Sequence, residues 1–227
     1  MSSISKKNMS FLNDLKKNNN REWFTENKDL YTTNREDVIL FAEDLLDRVS
    51  QHDNIETVSG KKSLHRIYRD IRFSKDKTPY KSIWSGSFKR ATKLLRGGYY
   101  FHIESGNSFL GGGFWGPSPS DLKLIRNNFL DYGEELKSII NSKDFITHFG
   151  KLEGDQLKTA PKGFDKEHVH IDLLRFKQFV MVKRFSDKEV LSNEFSGLIS
   201  DGFKAMRPFL DHMSEALSTD SNGETLY

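Results

Sequence analysis

The chain has 227 residues, 36% of them hydrophobic, and no cysteine, which excludes disulfides, thiolate metal sites and cysteine nucleophiles. No run of about 18 apolar residues occurs and the first residues lack an apolar signal core, so a soluble, cytoplasmic protein is expected. The net charge is only +3, yet Lys61 to Arg96 holds twelve Lys or Arg against two acids, Asp70 and Asp76, giving that segment +10 and the rest −7. Such asymmetry points to an anionic ligand or to an acidic partner within the chain.

In chain order, SFLNDLKKNNN reads as a short helix capped by Ser10, and a second helix starts near Arg21 and continues, whole or broken at YTTNRED, to Ser50. Period-2 alternation over Leu64–Phe73 predicts a strand, with Leu64, Arg66, Tyr68, Asp70 and Arg72 on one face and His65, Ile67, Arg69, Ile71 and Phe73 on the other. SKDKTPY then forms a loop held by Pro79. GGYYFHIESGNSFLGGGFW reads as a hairpin turning at Ser105–Asn107, and Gly111–Gly113 implies a bulge or a close approach of backbone or ligand.

A helix follows the prolines, capped by Ser118 or Ser120, and a shorter one begins at Ser142 and stops at Gly150. Residues 151–175 are turn-rich, and FKQFVMVKRF reads as a buried strand. Ser186 and Glu189 form a capping box, and a long final helix should kink at Pro208. These elements predict an α+β fold, a single domain over 1–227 in which helices pack on an antiparallel sheet, with 1–9 and 218–227 as flexible termini.

NNNREWFTENK (Asn18–Lys28) and RIYRDIRFSKDKTPYK (Arg66–Lys81) resemble the hallmark strings of a widespread bacterial and fungal family of conserved hypothetical proteins, a domain of unknown function. The hairpin, LKTAPKGFDKEH and IDLLRFKQFVM extend the resemblance over nearly the whole chain. It implies one full-length domain and supplies no catalytic residues, so the chemistry rests on the residues themselves.

The basic strand and loop provide Arg66, Arg69, Arg72, Lys75, Lys77, Tyr80 and Lys81 as candidate ligand-binding residues for a phosphate or carboxylate. Arg69 interrupts the apolar face and needs a buried partner or a ligand. The bland alternative pairs these cations with the acidic helices, at ~0–1 kcal/mol per surface pair. On the first hairpin strand Tyr100, His102 and Glu104 share a face, and His102 with Glu104 is the candidate acid/base pair, against the plainer reading of a satisfied polar pair. If this strand pairs beside Leu64–Phe73, the cations of that strand surround His102 and Glu104.

His168, His170 and Asp172 alternate as metal ligands could, without a further ligand to complete a set, and no metal is assigned. Trp23 and Phe24 read as core anchors, and Trp115 as an aromatic packed under a helix. Walker, Rossmann, GxSxG and HExxH motifs are absent, and no cofactor is assigned. The leading expectation is an anionic small-molecule ligand with or without turnover. Nucleic acid is the second candidate partner, favoured by aromatics among the cations, and an interaction domain with internally neutralised charges is the third.

Overall fold

The computed structural model describes residues 3–219 and 224–225. Four antiparallel strands form one sheet in the order β1-β2-β3-β4, with helices packed against it. By its internal contacts the chain divides into two compact units, the first comprising 1–88, 100–110 and 184–201, the second 89–99, 111–183 and 202–227.

In the first unit, α1 (Lys6–Lys17) starts five residues earlier than its apolar spacing suggests, because Ser5, not Ser10, is the cap. Ser5 Oγ accepts from Asn8 N at 3.3 Å, and Asn8 Oδ1 accepts from Ser5 N at 2.7 Å, a reciprocal box that satisfies two otherwise orphaned donors. Asn20 caps α2 (Arg21–Glu26), and the break falls at the non-helical Asn27, after which α3 (Lys28–Ser50) runs unbroken through YTTNRED. The short α4 (Gly60–Ser63) lies so close to α3 that a Cβ on Gly60 would overlap the backbone of Glu43.

The strand β1 (Trp84–Lys89) has no counterpart among the sequence expectations: WSGSFK carries one glycine and two serines and little of the apolar alternation that marks a strand. The hairpin forms as expected, from β2 (Gly98–Ile103) through a turn closed by Asn107 N donating to Glu104 O at 3.0 Å, to β3 (Ser108–Phe114). Phe101 and Ile103 are buried on one face of β2, where Phe41 of α3 meets Phe101 edge-on at 6.0 Å and stacks on Phe195 at 5.5 Å. The opposite face carries Tyr100, His102 and Glu104, all partly exposed.

In the second unit, Ser118 caps α5 (Pro119–Ile140), which has a non-helical residue at Tyr132, and α6 (Lys143–Phe149) runs from its cap Ser142 to Gly150 at φ +70°. The turn-rich stretch contains only α7 (Ile171–Leu174), before β4 (Phe179–Phe185). Gly113 has φ +118°, and a Cβ there would overlap the carbonyl oxygen of Phe179, so the triple glycine does mark a close approach of backbones. The capping box of Ser186 with Glu189 opens α8 (Asp187–Val190) in the first unit, and α9 (Phe195–Ser218) runs unbroken through Pro208.

Of the termini expected to be flexible, residues 1–2, 220–223 and 226–227 lie outside the described residues; elsewhere in them Ile4 and Met9 are buried and Thr219 bridges Thr225. Among the described residues no helix is long and apolar enough to cross a membrane.

Candidate functional site

The basic segment does not form the expected strand over Leu64–Phe73. Leu64 bridges Gly86 and His65 N donates to Ser85 O at 2.9 Å, so the segment starts along β1; it then folds on itself. Arg69 N donates to Pro79 O at 2.9 Å, Lys81 N donates to Ile67 O at 2.7 Å, and Tyr68 bridges Tyr80. Period-2 alternation records an extended chain here, but the ladder partner is the returning limb of the same loop. The neighbours of β2 are β1 and β3, so the arrangement that would set Arg66, Tyr68, Asp70 and Arg72 around His102 and Glu104 is not formed.

Two acids order this arm. Arg69 Nη1 donates to Asp76 Oδ2 at 2.5 Å and to the hydroxyl of Thr78, so the buried or ligand partner expected for Arg69 is a local carboxylate and hydroxyl. Thr78 N also donates to Asp76 Oδ1 at 2.9 Å, and this backbone bond, followed by the bond from Arg69, holds the Asp76 carboxyl down to about 2. Arg72 makes a bidentate pair with Asp70 at 3.0 and 2.6 Å, and Lys77 Nζ donates to Ile71 O at 2.9 Å. By contrast, among the described residues no carboxylate lies within 4.0 Å of the side-chain nitrogens of Arg66, Lys75 or Lys81.

The REWF stretch braces the arm from the other side. Asn19 Nδ2 donates to Tyr80 O at 2.9 Å while Tyr80 N donates to Asn19 Oδ1 at 3.1 Å, and the buried Phe24 ring stacks on Tyr80 at 4.0 Å. Arg21 lies near enough to Tyr80 to act on its hydroxyl electrostatically. Farther along the basic segment, in the second unit, Arg90 is fully buried in an ion pair with Asp211, and Arg96 pairs with Asp121 at 3.0 Å. Internal neutralisation therefore accounts for four of the segment's arginines and leaves the Arg66, Lys75 and Lys81 positions outside it.

The outward face of β1 and β2 carries two hydrogen-bonded groups. His102 Nε2 lies 3.3 Å from Glu104 Oε2, and His102 Nδ1 lies 3.0 Å from the Tyr100 hydroxyl. On β1, Ser85 Oγ is 3.2 Å from His65 Nδ1, and His65 Nε2 is 3.1 Å from Ser87 Oγ. His65 stacks on Tyr100 with ring centroids 5.8 Å apart, and His102 stacks on Phe109 at 4.6 Å.

Lys16 of α1 pairs with Glu104 at 3.0 Å and Asn107 donates to its other oxygen at 2.9 Å. Burial alone would raise the Glu104 carboxyl, but the bonds from Asn107, Lys16 and His102 outweigh it and hold the group below its ordinary range. Burial holds the His102 imidazole below its usual value, against the pull of Glu104; burial and the charge of Lys81 do the same to His65. His65 thus joins the two halves of the site, within the electrostatic reach of Lys81 on one side and against Tyr100 on the other.

His65, Ser85, Ser87, Lys16 and Asn107 escaped sequence reasoning. The period of 64–73 assigned His65 to an apolar face, and Lys16 stands 88 positions from Glu104, so nothing local marks it. His168, His170 and Asp172 sit on turns and the start of α7, with His170 buried against Gly133, and among the described residues no three His, Asp or Glu groups are placed to hold a metal ion. Trp115, expected under a helix, is 68% exposed, whereas Phe24 is the buried anchor that its position suggested.

The family model for the conserved hypothetical proteins DUF2461 matches residues 7–212, so the chain belongs to that family. No curated protein and no solved structure matches it.

Proposed function

We propose that this DUF2461 protein binds a small anionic molecule, bearing a phosphate or carboxylate, on the basic arm, and that His102 with Glu104 moves a proton on the adjoining face. The observation that carries this reading is the division of labour within the arm. Arg69 and Arg72 are tied to Asp76 and Asp70, which gives the loop its shape, while Arg66, Lys75 and Lys81 have no carboxylate within ion-pair distance among the described residues. Uncompensated cations held by an ordered scaffold are what an anion requires, since the entropy of fixing the loop has already been lost on folding. Lys77, bonded to a backbone carbonyl, and Tyr80, fixed by Asn19, complete the cradle.

Isothermal titration with inorganic phosphate and with a small dicarboxylate tests it. Lys81→Ala and Arg66→Ala should each weaken binding roughly tenfold, the equivalent of about 1.4 kcal/mol, while Arg72→Ala should matter less. Unchanged affinity in both the Lys81 and Arg66 variants would remove the assignment.

One observation favours nucleic acid as the second reading: Phe73 is 95% exposed and lies beside Arg72, with the guanidinium 5.9 Å from its ring centroid. A base could stack there. Salt-sensitive binding of single-stranded oligonucleotides that is lost in Phe73→Ala would establish that reading; anisotropy unchanged by either nucleic acid form would dispose of it.

A further inference from the structure

We propose that Tyr100 is a nucleophile, activated by His102 and Glu104 as one triad on the outward face of the sheet, and that it attacks the phosphorus of a phosphate ester held by the basic arm. The electrophile rests on the anion reading above; the activation of Tyr100 rests on contacts within the first unit.

Tyr100, His102 and Glu104 follow one another at every second position, so the pleat of β2 sets them in a row. The Tyr100 hydroxyl lies 3.0 Å from His102 Nδ1, and His102 Nε2 lies 3.3 Å from Glu104 Oε2. Glu104 is itself held, by Lys16 Nζ at 3.0 Å on one oxygen and by Asn107 Nδ2 at 2.9 Å on the other. A hydroxyl within reach of a base that a third group orients is the arrangement by which proteins turn a weak nucleophile into a reactive one.

The carboxylate settles where the hydrogens lie. Both Glu104 oxygens accept, so His102 Nε2 donates to it and Nδ1 of the neutral imidazole keeps a lone pair. The Tyr100 hydroxyl then donates to that lone pair. Burial holds His102 below its usual value and the Tyr100 hydroxyl above its own, so the base is free at neutral pH and the phenol keeps its proton until the moment of attack. The Phe109 ring, stacked on His102 with centroids 4.6 Å apart, keeps the imidazole in this plane.

The step balances. The Tyr100 O–H bond breaks, its proton passes to His102 Nδ1, and the electron pair left on oxygen forms the bond to phosphorus. The leaving alkoxide departs with the pair of the broken P–O bond and takes the proton from His102. Water then attacks the phosphoryl group on Tyr100 and gives its proton to His102, and the phenol oxygen leaves with its pair and is reprotonated. In each half the imidazolium lies against Glu104 at 3.3 Å. His65, next to Arg66 in the chain, stacks on the Tyr100 ring at 5.8 Å, so the root of the arm packs against the nucleophile. Tyr100 is accordingly the catalytic residue and Glu104 a positioning one.

Benzenesulfonyl fluoride tests the activation without a substrate, because a phenolate displaces fluoride from its sulfur. Peptide mass spectrometry of the labelled full-length protein gives the rate at each tyrosine, with Tyr68 and Tyr132, 48% and 46% exposed, as internal standards. Tyr100 is less exposed than either, so without activation it would be labelled more slowly; the triad requires it to be labelled faster than both. His102→Gln should lower the Tyr100 rate at least about tenfold, a conservative share of the ~10²–10⁴ that a positioned base supplies, with the Tyr68 and Tyr132 rates unchanged. Glu104→Gln should lower the Tyr100 rate by a similar factor and, because its amide can donate to Nε2, nitrogen-15 NMR should show the His102 hydrogen move to Nδ1, which a merely structural role would not cause. This second variant serves if His102→Gln fails to fold. Labelling of Tyr100 no faster than that of Tyr68 or Tyr132, or a fall in the variant smaller than that factor, overturns the triad. A separate titration with inorganic phosphate that leaves the Arg66 and Lys81 signals unmoved removes the anion reading and with it the phosphate ester, while the labelling still decides whether Tyr100 is activated.

Discussion

Asn19 holds Tyr80 by its backbone: the side-chain amide donates to the Tyr80 carbonyl at 2.9 Å and accepts from the Tyr80 N–H at 3.1 Å, as a neighbouring strand would. This pair, with the Phe24–Tyr80 stack, is where the two strings that carry the family resemblance meet. Asn19→Ala leaves both partly buried backbone groups without a partner, at ~1–3 kcal/mol for an unmet group. Urea denaturation should show a loss in that range, and the Tyr80 amide should exchange faster. A loss within the error of the measurement would mean that water replaces Asn19 at no cost.

Arg69 and Arg72 look equivalent in the sequence but should behave differently on removal. The Arg69 side chain is 26% exposed and bonded to both Asp76 and Thr78, while that of Arg72 is 77% exposed and bonded to Asp70 alone. Arg69→Ala should raise the Asp76 midpoint above about 2 without restoring its ordinary value, because the backbone bond from Thr78, the larger cause, remains. A depressed carboxyl stabilises the fold fully above its unfolded value and loses that contribution as pH falls through its folded one. Acid unfolding of Arg69→Ala should therefore begin at a higher pH than that of the wild type, and carbon-13 titration of the Asp76 carboxyl reads the cause directly. Arg72→Ala should leave the Asp76 titration in place.

What was legible in the sequence was what is decided locally. Ser118, Ser142 and the Ser186–Glu189 box announce α5, α6 and α8 because a cap needs partners only two or three residues away. The hairpin was legible for the same reason, since its turn lies between its own strands. The arm was not: Leu64–Phe73 alternates correctly, but pairing is decided by what lies opposite, and Pro79 and Lys81 return to Arg69 and Ile67. β1 offers too little pattern, yet its Ser85 and Ser87 hold the His65 imidazole that stacks on Tyr100. His102 and Glu104 could be named as a pair because they alternate on one strand; the groups that tune them, Lys16 and His65, come from elsewhere in the chain.

Gly113 should be among the least replaceable residues of the second unit. Its φ of +118° lies where side chains are strained, and a Cβ would overlap the Phe179 carbonyl oxygen, a backbone atom that cannot rotate away. Gly113→Ala should cost more than ~1 kcal/mol, the sign being set by native incompatibility outweighing the reduced freedom of the unfolded chain. Gly116→Ala, at φ +69° with nothing within 4 Å, carries the backbone strain without the overlap and is the control. Equal losses in denaturant would show that φ alone is responsible and that the approach of Phe179 relaxes.

Stability should fall at mildly acidic pH, before any carboxylate titrates. Burial holds His65 and His102 in the first unit, and His212 in the second, below the ordinary imidazole value of 6.5. The folded chain then binds fewer protons than the unfolded one just below 6.5, and stability rises with pH wherever the unfolded state binds more. Their contribution is therefore fully present above 6.5 and is lost as pH drops from 6.5 through the folded values. Asp44 and Glu104, both lowered, add a second loss below the carboxylate range near 4.5. Urea midpoints measured between about pH 7.5 and pH 5 should decline, and His102→Gln should flatten part of that decline because an amide does not titrate. A flat profile over this range would show that the imidazoles reach water on protonation.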